Sequence, residues 1–326
     1  MLIGTLAFGF LISYLGIRGS LRYATVMGTI EIVVVVAVGL AIVLAHPSAN
    51  TVSVFTPQYA TGGVSGVALG VLFAYTAFAG YGGATPLGEE AKSAKRAVGR
   101  AVLYSSIILG LFFVFAAYSF TVGWGPNNMS TYASSLVPGI SLAQQDLGTI
   151  GAVVVTLLFI NSILTDAVVF TNSASRVVMA LGRDGALPVK VSSVHEVHRT
   201  PAISAGLIVV AATVVAAVST VAIGGFNAFI LTGIVATLGT LLVHMMVNAA
   251  LPRILQKNNL KIGLLNILLP VVTIGILIGV FYGTFVSISL PVIIGSYIFA
   301  AWAVVGIAYS YLMRGKVKLS APEPRV

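Results

Sequence analysis

Two carboxylates in this chain stand where a carboxylate is costly. Glu31 and Asp166 fall inside long apolar runs, and an acid at that depth must be neutral, paired or turned to a cavity. A buried carboxyl of this kind can load and release a proton, which makes Glu31 a candidate for proton coupling. It follows Arg22 by nine residues, which at about 1.5 Å per residue puts it roughly 13 Å into its helix. The plainer alternative is a neutral glutamate bonded to a neighbouring helix. Asp166 shares a stripe with Ser162, Thr165, Asn172, Ser173 and Arg176 at i, i+3, i+4, i+7 spacing. Such a stripe faces protein or water rather than lipid. It is suited to touch an ion or a substrate, and it reads equally as a polar seam between helices.

A second kind of chemistry comes from the main chain. In the stretch Phe73 to Arg100, FAYTAFAGYGGATPLGEEAKSAKRAVGR, an apolar helical pattern runs into Gly80, Gly82, Gly83 and Pro86. Glycine admits non-helical angles and proline removes a donor, so the helix is predicted to break and release peptide groups in mid-span. Irregular backbone at membrane depth is tolerated where it is buried in protein or lines a polar cavity, and in transporters that cavity is commonly the substrate site. Tyr75, Thr76, Phe78, Ala79, Gly80, Tyr81 and Gly82 are therefore the candidate substrate-binding residues. Backbone groups and a half-helix dipole would meet a zwitterion there, with the aromatics covering it. A cluster of packing glycines or a simple kink would look the same.

Beyond the break, Glu89, Glu90, Lys92, Lys95 and Arg96 could form an inner, cytoplasmic gate of ion pairs, or simply a solvated charged surface. His244 reads as an interhelical histidine before it reads as a proton relay. Asn128-Met129-Ser130 is a formal glycosylation sequon. The chain has no cysteine, so thiolate chemistry, disulfides and cysteine metal sites are excluded. No phosphate-binding loop, H-E-x-x-H pair or nucleophile elbow appears, so neither catalysis nor a metal or other cofactor is expected.

The elements that must position these residues are membrane helices. With 58% hydrophobic and 8% charged residues in 326 and a mean hydropathy of +1.05, there is too little polar surface for a soluble domain. The lipid bilayer is the expected surrounding. Apolar runs cover roughly 2–15, 24–45, 67–87, 98–122, 149–178, 202–223, 226–251, 263–286 and 291–312. All but the first reach the ~20 residues needed to cross ~30 Å of hydrocarbon. The formal charge of +9 is not a nucleic-acid footprint, because the 17 basic residues fall on alternate connections only. Arg18 and Arg22, then Lys92 to Arg100, Arg176 to Arg199, Arg253 to Lys261 and Arg314 to Arg325 mark one side. The connections around 46–66, 123–148, 223–226 and 287–290 carry no Lys or Arg. The positive-inside rule makes the basic side cytoplasmic, with the C-terminus inside and the N-terminus outside, as in a plasma-membrane protein. Met1 opens directly into a short apolar run without a flanking charge. The expectation is a chain whose earlier helices are missing or encoded elsewhere, the alternative being an uncleaved signal anchor.

Three blocks resemble amino-acid permeases of the amino acid, polyamine and organocation (APC) superfamily. FAGYGGATPLGEEAKSAKRAVGRAV is similar to the family's sixth-helix signature through Phe78, Gly80, Tyr81, Glu89, Glu90, Lys92, Arg96, Arg100 and Ala101. NSASRVVMALGRDGALP with RTP resembles its eighth helix and the loop after it. YLGIRGS, Tyr14 to Ser20, is similar to the junction of its fourth and fifth helices. The pattern departs at Gly82, where the signature has glutamate, and at Ala94 and Gly99, where it has proline.

The resemblance implies an all-α transmembrane protein with a nine-helix partial LeuT-type inverted-repeat fold, equivalent to helices 4–12 of 12. It divides the single domain into a two-helix remnant of the first repeat (1–45), a complete second repeat of five helices (65–251), two C-terminal helices (263–313) and a cytoplasmic tail (314–326). It also places Glu31 near a position where some proton-coupled members carry a lysine in place of a sodium ion. The implied activity is secondary transport of an amino acid or related amine by alternating access, coupled to protons or to exchange. The alternative is a non-transporting membrane remnant, or a subunit that needs a partner chain supplying helices 1–3. A homo-oligomer is also open.

Overall fold

The computed structural model describes residues 2–60, 63–88, 94–286, 290, 293–315 and 317. Every regular element among them is helical. In chain order these are α1 (Leu2–Leu15), α2 (Ile17–Ala45), α3 (Val64–Ala77), α4 (Ala94–Trp124), the short α5 (Met129–Ser134), α6 (Pro138–Arg183), α7 (Ala202–Ile223), α8 (Gly225–Lys257), α9 (Leu265–Val286) and α10 (Ile294–Leu312). Seven of them, α2, α4 and α6 to α10, are long and apolar enough to cross a membrane. The protein is an integral membrane protein, all-α as the apolar runs require, since helices satisfy their own backbone groups in lipid.

Two runs come out differently from their sequence pattern. The third stops as a helix at Ala77 after 14 residues, about 21 Å at 1.5 Å per residue and short of the ~30 Å hydrocarbon layer. The fifth begins eleven residues earlier than its apolar run. α6 spans 46 residues and bends at Gly148, whose φ of 69° and ψ of −168° interrupt the helical path.

The helices group into two compact units. The first holds 1–63, 80–215 and 313–326; the second holds 64–79 and 216–312. In the first, α6 is the central element and packs against α1 and α2, with α4 against α2. Gly9 is what lets α1 lie this close, because a Cβ there would stand 2.8 Å from the Ala167 carbonyl oxygen. In the second, α8 is flanked by α9 and α10, and α3 packs on α8 and α9. Its core is Ile234, Leu238, Leu241, Leu277 and Phe299. Gly295 serves α10 as Gly9 serves α1, since a Cβ would meet Leu231 O at 2.9 Å.

Candidate functional site

Asn161, Asn172 and the Val168 carbonyl of α6 meet polar groups of α1 and α2 along one seam. Near one end, Asn172 is buried and its amide donates to Ser20 Oγ at 3.0 Å. Arg176 is 5% exposed and donates from Nη1 to the Asn172 carbonyl at 2.9 Å. Arg176 lies in α6 on the stripe that its spacing gives it, and the Asn172 carbonyl and side chain accept from its guanidinium. Midway, Ser13 Oγ donates to the Val168 carbonyl at 3.3 Å. Further along, Tyr23 Oη donates to Asn161 Oδ1 at 2.9 Å, and Asn161 Nδ2 donates to Glu31 Oε1 at 2.5 Å. Glu31 is thus tied to α6 through an amide that Tyr23 orients.

The candidate coupling residues divide along this seam. Glu31 and Ser162 reach one cavity of about 490 Å³, bounded by α2, α4, α6 and the α5–α6 connection. Asn172 serves the helix contact with Ser20. Thr165 is 9% exposed, and its Oγ1 has no hydrogen-bond partner among the described residues, an orphan position for a buried hydroxyl. Asp166 is exposed, does not line the cavity, and lies within electrostatic reach of Glu31. Tyr132, on α5 outside the spans, lines the cavity; burial pushes its hydroxyl above the usual phenol range.

The break after α3 is a run of tight turns. Phe78 N bonds Tyr75 O at 3.2 Å and Ala79 N bonds Thr76 O at 2.9 Å, the three-residue reach of a helix ending. Gly83 N then bonds Gly80 O at 2.8 Å, Thr85 N bonds Gly82 O at 2.9 Å, and Gly88 N bonds Thr85 O at 3.1 Å. Gly80 takes a φ of 100°, a conformation open to glycine and strained for other residues. The amides of Gly80, Gly82 and Ala84 have no backbone partner among the described residues. Ser173 Oγ donates to the Gly83 carbonyl at 3.5 Å.

The candidate substrate residues fall into two sets. Tyr75, Thr76, Phe78 and Ala79 belong to the second unit; Gly80, Tyr81 and Gly82 belong to the first. Tyr75 Oη hydrogen-bonds His244 Nδ1, and Thr76 Oγ1 meets Thr237 Oγ1 at 2.6 Å. Both side chains therefore bind α3 to α8, and His244 is the interhelical residue that its sequence position indicates. Thr76 and Thr237 also border a smaller cavity of about 300 Å³ in that unit. Of the proposed gate, Glu89, Glu90 and Lys92 lie outside the described residues, and Arg96 is exposed in the first turn of α4.

Sequence reasoning missed three participants. Asn161 was within reach of it, because 161, 165, 172 and 176 recur on one face of α6. Tyr23 looks like an ordinary aromatic near a helix end. The third is Asp146, which accepts from His46 Nε2 at 3.0 Å and ties the end of α2 to the segment of α6 before its bend.

Comparison with known proteins fits this architecture. The chain is similar to the "Branched-chain amino acid permease BcaP" of Bacillus subtilis (strain 168), with 25% identity over 189 residues. The similar region is 58% of this chain and 39% of that permease, so the chain matches about two fifths of its curated relative. The profile of the family described as Amino acid permease matches residues 2–316, almost the full sequence, and the chain belongs to that family.

Proposed function

We propose that the chain acts in secondary transport of an amino acid by alternating access, with Glu31 as the proton-coupling acid. Family membership supports a transporter rather than an enzyme, in keeping with the lack of any catalytic motif. The observation that carries the coupling role is the placement of Glu31: an acid inside an apolar helix, bonded to α6 and opening on a cavity of about 490 Å³. A mid-span carboxyl with access to a cavity can exchange a proton, whereas one sealed in apolar packing cannot. The amides of Gly80 and Gly82, which have no backbone partner among the described residues, are suited to receive the substrate carboxylate. The hydroxyl of Thr165 is suited to contact an ion or the substrate. The relative's name makes leucine, isoleucine and valine the first substrates to test. The proposed setting is the plasma membrane, with the basic connections cytoplasmic.

The test is uptake of labelled branched-chain amino acids into proteoliposomes, with and without an imposed pH gradient. Glu31→Gln should retain substrate exchange and lose proton-driven accumulation. Accumulation equal to the parent's along the same gradient would remove Glu31 from the coupling role. A second reading, a subunit completed by a partner chain, is supported by Asp166, an exposed acid in the middle of α6. Such a group needs cover from protein or water at that depth. Under that reading uptake appears only when the partner is co-reconstituted.

A further inference from the structure

The cavity at Glu31 has a composition unlike that of an amino-acid site. Its wall is hydrocarbon and aromatic, with Phe112 and Phe120 from α4 and Phe159 from α6. Among the described residues the polar side chains on it are Glu31, Ser162 and Tyr132, and none of those lining it is Lys, Arg or His. Glu31 receives the Asn161 amide on Oε1, and among the described residues no basic side chain pairs with it. A carboxylate can accept about four hydrogen bonds. Without a counter-charge in an apolar chamber, this one is electrostatically unfinished. The volume, about 490 Å³, lies within the roughly 300–1,000 Å³ typical of small-molecule sites.

From this we infer that the cavity binds a primary ammonium ion carried on a compact aromatic or aliphatic body, with the ammonium on Glu31 and the body among the phenylalanines. An ammonium supplies the positive charge and the donors that the carboxylate lacks. The ring faces add cation–π attraction for a partly desolvated cation. A ligand carboxylate would find no basic partner among the described residues of the wall, so a zwitterionic amino acid is disfavoured. The site thus selects amines against amino acids and is separate from the backbone break proposed for the transported substrate. The inference does not depend on transport, because binding is read without a gradient.

Trp124 provides the readout. Its ring lies edge-on to Tyr132 at 5.4 Å, and Tyr132 lines the cavity. The chain has two tryptophans, and the other, Trp302, is 62% exposed, so Trp302→Phe leaves Trp124 as the single emitter. The purified chain in detergent is titrated at neutral pH with phenethylamine, 2-phenylethanol and phenylalanine. Phenethylamine should bind at least tenfold more tightly than either of the others. Glu31→Gln should bring the amine down to the affinity of the alcohol, and Ala116→Phe, which fills the chamber away from the acid, should weaken both. Circular dichroism and thermal melts check the fold of each variant. Equal affinity for amine and alcohol in the Trp302→Phe protein would reduce the cavity to an apolar slot and overturn the inference, whatever the fate of the other variants. So would phenylalanine binding as tightly as phenethylamine, or an amine preference that survives Glu31→Gln in a folded protein.

Discussion

The contact between Glu31 and Asn161 gives the sharpest energetic prediction, because its geometry fixes what each substitution leaves behind. Asn161 donates to Glu31 Oε1 at 2.5 Å and accepts from Tyr23 Oη at 2.9 Å. Tyr23 therefore sets the amide orientation, and a flipped amide would lose both bonds. A hydrogen bond to a charged group contributes about 1.5–3 kcal/mol and a neutral one about 0.5–1.5 kcal/mol. Asn161→Leu removes one of each, a loss of about 2–4.5 kcal/mol. Glu31→Gln keeps an acceptor oxygen for Asn161 and loses only the charge assistance, about 1 kcal/mol. The double variant should then be less destabilised than the sum of the single ones by about 1 kcal/mol, the whole cost of Glu31→Gln, since Asn161→Leu has already removed the bond that Glu31→Gln weakens. The assay is equilibrium unfolding in mixed micelles with increasing SDS, read by circular dichroism for all four proteins. Additivity within about 0.5 kcal/mol would refute the argument, for it would mean that the two side chains do not act on each other.

Other predictions follow from separate parts of the fold. Cysteines placed at the exposed positions Asn128 and Lys190 of this cysteine-free chain should label from opposite faces of the membrane, Asn128 from outside, as read with impermeant maleimides. Labelling of both from one face would overturn the orientation drawn from the basic residues. Gly80→Leu forces a side chain onto a φ of 100°, a strain of about 1–3 kcal/mol. It should abolish uptake while leaving membrane insertion intact, as measured by uptake and carbonate extraction; normal uptake would reduce the glycines to packing. Gly295→Ala puts a methyl 2.9 Å from Leu231 O and should lower stability by about 1–3 kcal/mol in the same SDS titration. An unchanged midpoint would show that α10 and α8 are not held in this register.

The fold was readable where hydropathy and charge decide it. The long apolar runs became helices, and the run Phe78 to Pro86 failed to continue one, for reasons that act within a few residues. What sequence could not give is how far a helix outruns its apolar stretch. α6 starts at Pro138 because Pro suits a first helical position, and it absorbs Asp146 through the bond to His46, a partner 100 residues away. The site was readable as residue types on a face and not as partners. Asn172 and Thr165 share a stripe with Ser162, yet one is satisfied by Ser20 and the other has no partner among the described residues. Only the packing of α2 on α6 separates them.

That separation bears on what the seam is for. A seam that served only to hold α2 to α6 would satisfy each of its polar groups, because every orphan buried donor or acceptor costs about 1–3 kcal/mol. At the Ser20, Asn172 and Arg176 end this holds, and the groups are buried and bonded. At the other end it does not. There, among the described residues, Thr165 Oγ1 is buried without a partner, and Glu31 opens on a cavity lined by no basic residue. Unfinished polar groups on one stretch of a helix are inefficient as structure and useful as a place for a proton or cation to visit. The bonded end of α6 is thus suited to fix the helix, and the unfinished end to do the chemistry that the apolar chain otherwise lacks.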